Sequence, residues 1–175
     1  MRMRWFVMLP FALTVGVLAE SAAGVRWTPP AGWTSEAARP MRAATYSAAP
    51  AAGDTTSAEC AVYFFGEGQG GSVDANVERW KGQFRDANDR PAAAKIAKRT
   101  SHGLTITTID VSGTYSGMAG PMVRDQTPVA AYRLLGAIVE APRGNVFVKF
   151  TGPAKTIAAN QAKFEQLITS FQPDK

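Results

Sequence analysis

Few residues in this chain can do chemistry, and their spacing brings almost none of them together. The single histidine, His102, stands between Ser101 and Gly103. Nucleophilic catalysis needs a base poised on a nucleophile. Neighbours in a turn do not naturally point at one another, so His102 is expected to be a solvated turn residue. The single cysteine, Cys60, alternates with Ala58 and Val62 in an apolar run. It reads as a small buried core residue rather than a reactive thiol. With one His and one Cys, a metal site would need several carboxylates. Asp54, Glu59, Asp74, Glu78, Asp86, Asp89, Asp110, Asp125, Glu140 and Glu165 are scattered, with no spacing that suggests an acid/base couple. The expectation is no catalytic residue, no metal, no cofactor and no enzyme. A hydrolase of an unrecognised type would need carboxylates clustered around His102.

Two constellations suit binding instead. Gly66-Glu67-Gly68-Gln69-Gly70-Gly71 matches G-x-G-x-x-G between a strand and a helix. A dinucleotide site also needs a parallel βαβ unit and an acid ending its second strand. Segment 94–99 ends in Lys98 and Arg99. Anion capture by Gly70, Gly71 and Ser72 at the helix N-terminus is physically easier, and a flexible turn onto the helix is the plain alternative. On that helix Asn76, Arg79 and Gln83 share a stripe next to Trp80. An amide pair, a guanidinium and an indole edge can hold a peptide or polar ligand by hydrogen bonds. The competing use places Trp80 in the core and makes Arg79 and Gln83 ties to a neighbouring loop. The connection 116–127 offers Met118, Met122 and Arg124 among glycines and prolines, as a binding loop or an ordinary variable insertion.

The elements that must position these residues follow from periodicity. Residues 26–36 hold Trp27, Pro29, Pro30, Gly32 and Trp33, which exclude a helix; both tryptophans are expected to tuck against the domain edge. Residues 42–47 form a short strand and 58–65 a central one. Ser72 caps a helix over 72–84 whose apolar face is Val73, Val77, Trp80 and Phe84. Strands follow at 94–99 and 104–111, with a turn at 100–103, and the second is dense in β-branched residues. Strands 129–140 and 145–151 flank Ala141-Pro142-Arg143-Gly144, a hairpin signal. A last helix over 153–171 carries Ile157, Phe164, Leu167, Ile168 and Phe171, and Gln172-Pro173 stops it. Hairpins imply an antiparallel sheet, and two amphipathic helices must cover it. The fold class is therefore α+β, an α/β/α sandwich without internal repeats.

The N-terminus reads as a secretory leader. Arg2 and Arg4 make a positive start, residues 5–19 are uncharged, and small residues follow. Cleavage is expected near Ala23, giving a signal peptide over 1–23 and one domain over 24–175. The apolar run is short for a membrane span and contains Pro10, so no stable span is expected after cleavage. The net charge of +5 over 175 residues is modest and spread out, which argues against nucleic acid as partner. One cysteine cannot form an internal disulfide, which suits a bacterial periplasm better than a disulfide-stapled secreted module.

Four segments carry a resemblance. They are Pro30-Ala31-Gly32-Trp33 with Met41-Arg42-Ala43-Ala44-Thr45-Tyr46; Gly70-Gly71 leading into Asn76-Val77-Glu78-Arg79-Trp80-Lys81-Gly82-Gln83; Val146-Phe147-Val148-Lys149-Phe150-Thr151-Gly152-Pro153; and Phe164-Glu165-Gln166-Leu167-Ile168-Thr169-Ser170-Phe171. The chain resembles secreted bacterial proteins of unassigned function with the fold of PsbP, the extrinsic photosystem II protein. That resemblance implies architecture and a binding or assembly role, with no site residues carried over. The expected function is a non-catalytic periplasmic or secreted binding or assembly domain for a protein or cell-envelope partner. The alternative is a small-ligand or anion-binding periplasmic protein.

Overall fold

The structure, a computed structural model, describes residues 19–117 and 127–174. Residues 1–18 of the expected leader, and Met118, Met122 and Arg124, lie outside the described residues. The chain runs β1 (Glu20–Ala22), β2 (Val25–Trp27), β3 (Thr34–Ser35), β4 (Arg42–Ala48), β5 (Ala58–Tyr63), α1 (Val73–Lys81), β6 (Phe84–Arg85), β7 (Ala94–Ser101), β8 (Leu104–Tyr115), β9 (Val129–Ala141), β10 (Gly144–Pro153), α2 (Ala154–Ala159), α3 (Gln161–Ser170) and β11 (Gln172–Pro173). An eight-stranded antiparallel sheet has the order β3-β4-β5-β10-β9-β8-β6, with β7 also pairing β8; β1, β2 and β11 form a small second sheet. The α+β class read from the sequence, an antiparallel sheet with helices on both faces, is the architecture observed.

Strand alternation divides the large sheet into two faces. On one, Cys60, Val62, Leu135, Ala137, Val139, Val146, Val148 and Phe150 pack against Phe164, Leu167 and Ile168 of α3 and Ile157 of α2. On the other, Ile109, Val111, Leu134, Ile138 and Phe147 pack against Val77 and Trp80 of α1. Trp27 and Trp33 belong to the first core rather than to its edge: Trp27 stacks on Phe171 at 5.0 Å and Trp33 lies 4.6 Å from Phe150.

Three expected elements differ from those observed. The helix read over 72–84 ends at Lys81, because Phe84 leaves it to pair with Tyr115 of β8. The helix read over 153–171 breaks at Asn160, whose amide nitrogen bonds the Thr156 carbonyl at 2.9 Å while its oxygen accepts from the Trp33 indole at 2.9 Å. Competition from a side-chain amide of this kind interrupts a helix. The turn between β7 and β8 is tighter than residues 100–103: Ser101 pairs Leu104, with positive φ at His102 and Gly103. That is the two-residue type I′ geometry.

The small sheet was not anticipated. β1 pairs β2, Glu20 accepts from the Tyr46 hydroxyl at 2.7 Å, and that hydroxyl accepts from the Trp27 indole at 2.8 Å. Ala23 is buried and its carbonyl accepts from the Arg143 amide at 3.0 Å. Residues 20–23 thus join the N-terminal end of the described residues to the core.

Candidate functional site

The stripe on α1 is mostly turned inward. Ser72 caps the helix by accepting from the Ala75 amide at 3.2 Å. Asn76, 1% exposed, donates to the Gly70 and Ser72 carbonyls at 2.8 and 2.9 Å and accepts from the Arg79 guanidinium. A Cβ at Gly70 would fall 2.6 Å from the Phe147 ring. The glycine turn is therefore pressed onto the sheet, and Gly70 and Ser72 are engaged within it. Since the sheet is antiparallel throughout, the βαβ unit that a dinucleotide fingerprint needs is missing from it. Trp80, 4% exposed, seats its ring on Gly136, where a Cβ would come within 2.5 Å of it. Arg79 is exposed and ties to its own helix through Asn76, not to a neighbouring loop. Gln83, expected at the rim, is 5% exposed and lies beyond the helix end.

Gln83 leads to the site that the stripe alone does not reveal. Its Oε1 accepts from Lys149 Nζ at 2.8 Å, and the Tyr115 hydroxyl lies 3.2 Å from the same nitrogen. Lys149 stands on β10 opposite Ala61 of β5 and Gly136 of β9. Its face of the sheet is the one that α1 covers, where Trp80 packs over Gly136 of β9 and in one cluster with Ile109 and Phe147. Burial, and then the nearby positive charges of Arg79 and Arg42, push the Lys149 ammonium down to about 8. Among the described residues no carboxylate pairs with it. Glu59 is on the same face but is held by Arg42 at 2.9 Å and Arg39 at 3.1 Å. Thr151 Oγ1, two residues along β10, is buried without a hydrogen-bond partner.

Partly buried aromatic rings flank the lysine on two sides. Tyr63 stacks on Phe65 at 5.7 Å, with the Arg42 guanidinium 5.4 Å from the Tyr63 centroid. Tyr115 stacks on Tyr132 at 5.8 Å, and Lys149 Nζ lies 5.4 Å from the Tyr115 centroid. Burial raises both the Tyr63 and Tyr115 phenols, so they are neutral donors and acceptors. Chemically, the arrangement is a cation among neutral partners, ringed by aromatic edges.

Other expectations can be placed directly. His102 is exposed in its turn, but Ser101 Oγ does lie 3.4 Å from its Nδ1, closer than adjacency in a turn implied. The Phe171 carbonyl, 3.0 Å from the same nitrogen, can only accept. Nδ1 therefore carries the proton and is no base toward Ser101. Cys60 is fully buried, and desolvation pushes its thiol well above the ordinary range. A cavity of about 430 Å³ lies on the α2–α3 face, lined by Lys95, Asp110, Ser112 and Arg133. Arg133 is already satisfied there by two 2.8 Å bonds to Asp110 and one of 2.9 Å to Gln161.

Sequence reasoning met Lys149 only as part of the Lys-Phe-Thr-Gly-Pro motif. The signal was present in the alternation. Val146, Val148 and Phe150 are uniformly apolar, whereas Phe147, Lys149 and Thr151 place a charge and a hydroxyl on the opposite face. A lysine in the middle of a central strand must find acceptors or a ligand.

No family model and no curated protein sequence matches the chain. Two solved structures are similar over nearly its whole length. One is the protein of unknown function PA94 from Pseudomonas aeruginosa, with a TM-score of 0.50 and 11% identity, covering 90% of this chain and 97% of that one. The other is the cyanobacterial PsbP (CyanoP) from Synechocystis sp. PCC 6803, with a TM-score of 0.50 and 11% identity, covering 95% and 98%. At this identity the similarity concerns the fold alone.

Proposed function

We propose, from a PsbP-like fold with a partly buried lysine set among aromatic rings on the α1 face of its sheet, that this chain is a non-catalytic binding or assembly domain. Its partner docks on the α1 side of the sheet, between the Tyr63–Phe65 and Tyr115–Tyr132 pairs. The observation that carries this reading is Lys149. A partly buried charge costs stability unless something compensates it, and the described residues give it only neutral hydrogen-bond partners. Proteins tolerate such a cost where a site must stay ready for a ligand. The reading includes an extracytoplasmic location, supported by the charged start and uncharged run of the first 19 residues. Among the described residues no helix is long and apolar enough to cross a membrane.

In-cell photocrosslinking tests the surface. A photoreactive residue at Phe65, the partly buried ring stacked on Tyr63, should trap a discrete partner in the native host. The same residue at the exposed Thr169 on α3 should not. Equal trapping from both positions, or none from Phe65, contradicts the reading.

A further inference from the structure

We propose that Lys149 anchors a carboxylate presented by an extended acidic segment of a protein partner, with the flanking tyrosine and phenylalanine rings gripping the segment on either side. This rests on the docking surface proposed above. An ammonium has three donors, and two of those of Lys149 are spent on Gln83 and Tyr115. The third has no acceptor among the described residues. Of the strand carboxylates on this face, Glu59 is held by two arginines and Glu140 by Lys98. Arg42 and Arg79 add positive charge close by, so the surface selects an anion.

The donor set favours a carboxylate over a phosphate. Phosphate recognition relies on guanidinium forks or several converging amides. Here Nη1 of Arg42 is shared by Glu59 and Thr45, and Nη2 of Arg79 is engaged by Asn76, so each guanidinium is already committed at one nitrogen. Beside them stand the third ammonium donor of Lys149 and the Tyr115 hydroxyl on the same face. A protein segment is favoured over a free small molecule because small ligands are mostly enclosed. The 430 Å³ cavity lies on the opposite face of the sheet. The partly buried rings of Tyr63, Phe65, Tyr115 and Tyr132 near the cation suit contact with a chain segment.

Fluorescence anisotropy with the full exported chain can decide. The probes are a labelled Glu-Val-Glu-Val-Glu peptide, its Gln-Val-Gln-Val-Gln counterpart, acetate and inorganic phosphate. The glutamate peptide should bind at least about tenfold more tightly than the glutamine peptide, and Lys149→Met should remove most of that preference, as expected for a charge-assisted bond. Tyr115→Phe, which deletes one hydroxyl, should weaken the glutamate peptide by about threefold and carries the test if Lys149→Met does not fold. Acetate should compete only weakly. Equal binding of the two peptides, or a folded Lys149→Met with unchanged preference, overturns the carboxylate assignment. Displacement of the peptide by phosphate at a concentration where acetate has no effect also overturns it. If Phe65 crosslinks a partner while the two peptides bind alike, the surface stands and the carboxylate falls. If Phe65 traps nothing, the surface itself falls.

Discussion

Replacing Lys149 with methionine should change how stability depends on pH more than it changes stability itself. In the unfolded chain the ammonium titrates near 10.5, and in the fold it is pushed down to about 8. Each unit is about 1.4 kcal/mol, so keeping this group charged in the fold costs about 3 kcal/mol below pH 8. Above that value the folded chain releases the proton while the unfolded chain keeps it. Unfolding then takes up a proton, and stability rises with pH until the unfolded lysine also titrates. Between about pH 7 and about pH 9.5 the wild type should gain about 2 kcal/mol from this one group. For a domain of this size that is about 4–8 °C in melting temperature. Cys60 and the buried tyrosines push the other way at high pH, because the fold holds their protons. They are common to both proteins and cancel in the difference. At neutral pH, Lys149→Met removes the charge penalty but orphans the buried Gln83 Oε1, which costs about 1–3 kcal/mol. The net change there should be small, and Lys149→Met with Gln83→Leu should be the more stable protein. The assay is thermal unfolding by circular dichroism across this pH range. The reasoning is refuted if wild type and Lys149→Met keep a constant difference from neutral to alkaline pH.

Four further outcomes follow from the packing. Trp80→Ala should destabilise by about 3–5 kcal/mol in denaturant titration, since the ring is fully seated on Gly136. Gly136→Ala should cost about 1–3 kcal/mol by overpacking, because the new Cβ meets Trp80 at 2.5 Å and Ile109 at 2.8 Å; an unchanged midpoint would show that the ring has room to move. Cys60 should resist a thiol reagent in the native state and react fast in denaturant. We propose that leader cleavage falls between Ala19 and Glu20 rather than after Ala23, because β1 and the Glu20–Tyr46 bond belong to the fold. Intact mass of the exported protein should give Glu20 as its first residue, and a first residue at Gly24 would contradict this.

The layers of the fold were legible because two periodicities dominate the chain. Val73, Val77 and Trp80 recur at helical spacing, while 58–63, 104–111 and 146–150 are dense in strand formers. Boundaries failed where a side chain outvoted local preference. Asn160 breaks the last helix by bonding Thr156 and Trp33, a partner 127 positions away that no window of sequence contains. The small sheet was hidden because β1 and β11 are three and two residues long and gain their meaning only by meeting. The site was half legible. Asn76 and Arg79 do meet, but helical spacing says nothing about which residue reaches a distant strand, as Gln83 does. The Gln83–Lys149 bond spans 66 positions, so the most informative cation stayed hidden inside a motif valued for its resemblance.

The central claim is that Lys149 is a cation with no ion-pair partner among the described residues, held ready for an acidic partner. Nitrogen-15 NMR of the lysine side chains, titrated with and without the glutamate peptide, reads this directly. The account predicts a Lys149 signal titrating near 8 in the free protein and moving upward when the peptide binds, because a carboxylate stabilises the charged form. A Lys149 that already titrates at the ordinary lysine value in the free protein, or one whose titration is unchanged by the bound peptide, would contradict it.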